Sequence, residues 1–341
     1  MSSPAVRLIQ PDETLPQGEA PGAPGMPPRW TRSGKDGVGT AYAASSRVWF
    51  TLAQGSLAEI YYPTVDRPQV RDLQFLFTDG ATFPSTGLMY VCHNGAIRIN
   101  DSVTNSQAVI IPLYVNLPSS TAGIFNLVNN STNPGVTLTI NSITHAGATT
   151  RATTFILDGT NTMENVVTNL SEGPGNATGG FTKQGPGTWV IAGPGTFPAA
   201  SPLNINMGTL GLKDPNGFGL ATNANVTNAT LRLDAVNLTT TLNVRNGGIV
   251  RMNGVGALSV VGISSIAGNN ATLATTSPSD VLTVGTADTV GAVDSVLHIS
   301  GPGTVVFAAA SPYVGKWSVE AGTNQIFAQG ALGTGPNLNM A

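Results

Sequence analysis

The chain has 341 residues, of which 10% are charged and 6% aromatic, with 41 glycines and a formal net charge of −3. That length holds one large domain or two ordinary ones, and the mildly acidic balance argues against a nucleic-acid partner, which needs a basic footprint. A single cysteine, Cys92, rules out an internal disulfide, and no apolar run is long enough to span a membrane.

Residues 1–28 are rich in Pro, Gly and Glu and read as a disordered tail. They contain no basic-then-apolar signal region, so no secretion signal is visible and the compartment is left open. A β segment is expected over 29–86. Within it, 48–52 and 57–62 flank a turn at Gly55 and predict a hairpin, and 73–78 alternates before the Asp79-Gly80 turn. Up to Gly80 the chain carries 15 of its 33 charged residues. Near Thr82 this charged, aromatic text gives way to Thr, Asn and Gly, which sets the boundary of a third region, 87–341.

In that region the apolar runs are short and separated by Gly, Asn or Pro. They fall at 108–115, 136–140, 153–157, 188–191, 203–207, 231–233, 242–244, 249–252, 282–284 and 297–299. Leu203, Ile205 and Met207 alternate with Asn204 and Asn206, as a half-buried strand requires. A Gly-Pro-Gly-Thr tetrapeptide at Gly185 and another at Gly301 each precede a strand, and Gly-Thr returns some twenty residues later, at Gly208 and Gly322. Short strands and glycine turns, repeated without a helical stretch, predict an all-β solenoid with coils of ~20–29 residues. The alternative is a β-sandwich. Gly187 and Gly303 are the residues expected to need positive φ.

Two resemblances sharpen this reading. The segments Thr182-Lys183-Gln184-Gly185-Pro186-Gly187-Thr188-Trp189, Tyr313-Val314-Gly315 and Gly322-Thr323 resemble the autotransporter-associated β-strand repeat of bacterial surface proteins, with Phe197-Pro198-Ala199 where the first copy would carry its aromatic-x-Gly. That resemblance, over about 150–341, implies a right-handed parallel β-helix and a non-catalytic surface role. Arg29-Trp30-Thr31, 35–40, 46–52, Glu59-Ile60-Tyr61-Tyr62-Pro63 and Arg71-Asp72-Leu73 resemble the opening of the N-terminal β-sandwich domain of bacterial glucoamylases and glucodextranases, glycoside hydrolase family 15. This covers about 20–80. The family's catalytic barrel and its two glutamates have no counterpart here, so the resemblance implies a structural or carbohydrate-associated role only.

Each residue that could carry chemistry has a plainer explanation beside it. Glu59, Asp66, Asp72 and Asp79 are the acids that could form a glycosidase pair, but each sits beside a base or a turn, or stands alone, and no catalytic residue is assigned. Cys92-His93 lacks the further ligands of a metal site. His145 stands alone, and His298, between Leu297 and Ile299, is placed on the outer face. No cofactor motif is present. Several Asn-x-Thr sequons, such as Asn176-Ala177-Thr178 and Asn237-Leu238-Thr239, are expected by chance in this composition. Trp30, Trp49, Tyr61 and Tyr62 are the candidates for stacking on sugar rings, with packing as the competing explanation.

The reading is a non-enzymatic, surface-type β-solenoid for display or adhesion, with a polysaccharide or cell-surface ligand as partner. Two alternatives stand beside it: a carbohydrate-binding accessory fragment of a glucan-processing hydrolase, and two joined reading frames without a selected function. No charged residue follows Glu320 and nothing after it reads as a cap, so end-to-end self-association is also expected.

Overall fold

The computed structural model describes the strands before residue 100 (backbone course alone, apart from Ile97 and Ile99), Asp101, 106–115, 123–145, 152–170, 179–263, 270–289, 294–334 and 338–340. The described residues are all-β, without a helix. The chain divides into two compact units, 1–177 and 178–341. The compositional change near Thr82 falls inside the first.

In the first unit, Arg47–Leu52, Asp72–Phe77, Asn94–Ile99, Gly123–Asn129 and Thr153–Gly159 pair in parallel, each with the next. A second sheet runs through Met89–Val91, Gln107–Val115, Val136–His145 and Asn165–Val167. The antiparallel pair near the N-terminus is made by Trp30–Ser33 with Arg47–Leu52. It is not the hairpin of 48–52 with 57–62 that the Gly55 turn suggested, because Glu59–Tyr61 pairs in parallel with Ala5–Arg7 instead. A turn residue between two apolar runs cannot tell a hairpin from a corner that sends the chain to another sheet.

The second unit is a parallel β-solenoid built from two sheets. Sheet I contains Gly180–Lys183, Leu203–Ile205, Asn223–Thr227, Thr241–Arg245, Val255–Ile263, Val281–Thr289, Thr304–Phe307 and Thr323–Ile326. Sheet II contains Thr188–Ile191, Thr209–Leu212, Thr230–Asp234, Gly248–Asn253, Asn270–Thr275, Val296–Ser300, Lys316–Val319 and Leu338–Met340. The chain alternates between them. Register partners are separated by 18 residues at the shortest (Ala224 to Leu242) and 26 at the longest (Val255 to Val281).

Alternation decides what is inside. In Thr230–Asp234 and Thr241–Arg245 every second residue is buried, so Leu231, Leu233, Leu242 and Val244 stack in columns between the sheets. Phe181 lies 5.7 Å from both Phe197 and Phe218, and Trp317 packs edge-on against Phe307 at 4.9 Å and Tyr313 at 5.0 Å. The strand expected at 203–207 ends at Ile205, and Met207 is exposed, because the chain is already turning toward Gly208.

The repeated tetrapeptides are corners. The residue that takes positive φ is the first glycine of each, Gly185 at 75° and Gly301 at 90°, and not Gly187 or Gly303. Gly208 and Gly322 sit one coil later on the same corners, again at positive φ. A Cβ on Gly208 would meet the carbonyl oxygens of Gly185 and Gly187 at 2.5 Å, and Gly322 approaches Gly301 and Gly303 equally closely. The amides of Thr209 and Thr323 donate to Gly187 and Gly303. Each motif is thus a corner plus the corner stacked on it. The first copy carries the chain from sheet I to sheet II, the second from sheet II to sheet I, so they lie half a turn out of phase.

Candidate functional site

The outward columns are where this solenoid can meet another molecule. On sheet I, Asn204, Asn225 and Asn243 occupy one register column, between buried positions on either side. Their carboxamides form a ladder: Asn225 Nδ2 donates to Asn204 Oδ1 at 3.0 Å, and Asn243 Nδ2 to Asn225 Oδ1 at 3.4 Å. Arg245 Nη2 donates to Asn225 Oδ1 at 2.7 Å. Its Nε is buried without an acceptor. The ladder stops at Gly262, where a Cβ would meet Asn243 Oδ1 at 2.8 Å.

Sheet II presents a column of Thr188, Thr209, Thr230, Ile249, Thr272, His298 and Ser318, all half-buried. Beside it Arg232 makes a two-pronged contact with Asp234 at 2.9 and 2.8 Å, and Asn253 Nδ2 donates to the same carboxylate at 3.1 Å. Arg251 is exposed one rung further on. His298 stands outward as its alternation required, and its Nδ1 meets Glu320 Oε1.

Several polar groups serve the corners. Lys183 is fully buried, and its ammonium donates to the carbonyls of Gln184, Gly185 and Met207 at 2.9, 2.7 and 3.0 Å. Three donors meet three acceptors, which is how a buried ammonium is tolerated. Asp280 accepts from the backbone amides of Gly254, Thr276 and Ser277 and from the Ser277 hydroxyl. Burial pushes its carboxyl up, but these four hydrogen bonds outweigh that and hold it below the usual range. In the first unit, buried Asn129, Asn161 and Asn165 tie 129–138 to 159–165. Asn161 Nδ2 reaches the carbonyls of Ser131, Asn133 and Val136. Sequence reasoning missed all of these. The Asn-rich text at 129–133 and 161–165 was visible, but composition alone does not say which amides turn inward.

A cavity of about 300 Å³ lies beside Thr323–Ile326, lined by Phe307, Trp317, Val319, Asn324 and Ile326 among others. Asn324 Oδ1 is buried there without a partner.

Of the proposed sugar-stacking residues the structure describes the backbone of Trp30, Trp49 and Tyr61 alone. Trp30 is opposite Phe50 and Trp49 opposite Thr31, so the two tryptophans are not register partners. Tyr61 pairs with Arg7 in a separate two-stranded sheet, and Tyr62 lies outside the described residues. Of the four N-terminal acids, Glu59 and Asp72 open their strands. Asp66, Asp79 and Cys92-His93 lie outside the described residues, and His145 ends Val136–His145. Among the described residues no cluster of three His, Cys, Asp or Glu could hold a metal ion, and no helix is long and apolar enough to cross a membrane.

Against this geometry the relatives can be placed. Residues 20–94 match the family model of glucodextranase, domain N. A glucoamylase from Clostridium sp. (strain G0005) is 48% identical over 62 residues, 18% of this chain and 9% of that enzyme. The chain therefore spans a small fraction of the curated relative it matches. No solved structure matches the chain significantly. The N-terminal segment is similar to a glucodextranase domain N, and the solenoid that follows lies beyond the matched residues.

Proposed function

We propose that the chain is a non-catalytic β-solenoid of bacterial surface type, acting in display or adhesion. The observation that carries this reading is the contrast between a sealed apolar interior and outward faces made of in-register polar columns. Such faces offer a long, repetitive contact surface. The acids of the solenoid support the reading too. Asp214 accepts from the Asn216 amide, Asp234 holds Arg232, Asp280 binds backbone amides, Asp294 pairs with Lys316 at 3.3 Å and Glu320 meets His298, so these five have structural tasks, while the Asp288 side chain lies outside the described residues. Mild proteolysis of intact cells that make the protein tests the surface role. Release of solenoid fragments is expected, and recovery solely from the cell interior would overturn it.

A second reading is favoured by one observation, the match of 20–94 to glucodextranase domain N. In it the chain is an accessory that holds glucan without cleaving it, with Trp30, Trp49, Tyr61 and Tyr62 supplying the stacking surface. Retention on soluble starch or dextran, lost on replacing those side chains, would favour it. Under either reading no glucose is released from starch, dextran or maltose, and turnover abolished by Glu59→Gln or Asp72→Asn would refute both. Association of copies through Thr323–Ile326 belongs to the same proposal, because Ile326 and Phe327 stand 52% and 72% exposed there. Sedimentation over a range of concentrations reads it.

A further inference from the structure

We infer that the outer face of sheet I around Arg245 is a binding site for a carboxylate-bearing polysaccharide, a polyuronate. The inference goes beyond display or adhesion in general and does not rest on the N-terminal segment. Its starting point is the contrast between two arginines on opposite faces. Arg232 on sheet II is neutralised by both oxygens of Asp234. Arg245 on sheet I makes no ion pair among the described side chains, and the one acid in the amide column is Asp288, one rung past Gly262. Its one hydrogen bond goes to an uncharged amide, Asn225 Oδ1, and its Nε is buried without an acceptor. The buried Nε is closed to a ligand, but Nη1 is neither buried nor hydrogen-bonded, and with Nη2 it forms a planar edge matched in shape and charge to a carboxylate.

The surroundings suit the rest of a sugar chain. The ladder uses Asn204 Oδ1 and Asn225 Oδ1 as acceptors, while Asn204 Nδ2 and Asn243 Oδ1 make no hydrogen bond among the described residues. Donors and acceptors are thus both left over, which is what hydroxyl groups require. Rungs repeat every ~4.8 Å, the scale of one sugar ring, so a chain laid along the column would present one ring per amide. Thr182 and Thr227 extend the polar strip beside it. A neutral glucan would engage the amides but leave the charge of Arg245 unanswered. A uronate engages both.

The test is affinity electrophoresis of the full chain in gels containing polygalacturonate or dextran. Retardation by polygalacturonate is expected. Arg245→Gln should weaken it about tenfold, the loss of one charge-assisted contact, and Asn225→Ala should weaken it several-fold. Arg251→Gln, on the outer face of sheet II, should leave it unchanged. Arg245→Lys keeps the charge without the fork and should bind nearly as poorly as the glutamine variant, with melting curves verifying that each variant is folded. No retardation, wild-type binding by Arg245→Gln or Arg245→Lys, or an equal loss in Arg251→Gln would each overturn the site. Cell-surface exposure and starch or dextran retention are read separately, so failure here is distinct from failure of the proposed function.

Discussion

The two copies of the Gly-Pro-Gly-Thr corner share a backbone and differ in what ties it down. Both place their first glycine at positive φ, and both carry a Gly-Thr corner stacked one coil later. Beneath the first, the buried ammonium of Lys183 gathers three carbonyls. In the second the matching residue is Ile299, buried in the apolar core, and the tie is made from the preceding coil, where Thr275 Oγ1 accepts from the Gly303 amide at 2.8 Å. Glycine and stacking define the bend. The polar tie is interchangeable.

Breaking the shared part should therefore cost most. Gly208→Val adds a Cβ against two carbonyl oxygens at a left-handed position, and a loss of about 4 kcal/mol in denaturant unfolding is expected. Gly322→Val makes the same clash under the largely exposed strand Thr323–Ile326, so its effect should be local fraying seen in hydrogen exchange, with little shift of the main transition.

Removing the first copy's own tie comes next. Lys183→Met keeps the side-chain length and leaves three buried carbonyls without their donor, for an expected loss of about 3 kcal/mol. Thr275→Val at the second corner removes one acceptor and should cost about 1–2 kcal/mol. A Lys183→Met protein as stable as the wild type would show that the bend needs no tie at all.

A smaller, pH-dependent effect separates Asp280 from the corners. Its folded carboxyl titrates below its ordinary value of 3.8, so its contribution to stability is complete above that value and is lost as pH falls through the folded one. Asp280→Asn should flatten the acid limb of a stability-versus-pH curve below about pH 4, and an unchanged limb would count against the assignment. The smallest effect is expected at Gly185, where a side chain at positive φ in Gly185→Ala should cost about 1 kcal/mol in denaturant unfolding.

Much of the solenoid was legible because its strands alternate. The run at 188–191 appears unchanged as Thr188–Ile191, and 153–157 and 242–244 extend by a residue or two. Asn270–Thr275 and Val255–Ile263 were not legible, since Ala and Gly at buried positions leave no contrast to read. The glycine that bends the corner was misplaced by two residues, because Gly-Pro-Gly offers two candidates and only the backbone course distinguishes them. The sheet I column escaped notice for another reason. Asn204, Asn225 and Asn243 are separated by unequal intervals of 21 and 18 residues, so they meet only once the coils are in register.

The half-turn offset between the two corner copies carries a consequence for how such a chain can grow. A duplication that copied whole coils would return each motif to the edge it came from. These copies sit on opposite edges, so the transferable unit is a bend, smaller than a coil and indifferent to which sheet it leaves. A designer lengthening this protein could therefore splice at any corner. Each odd number of inserted bends would exchange the roles of the two faces downstream, turning the surface that carried amides into the one that carried threonines.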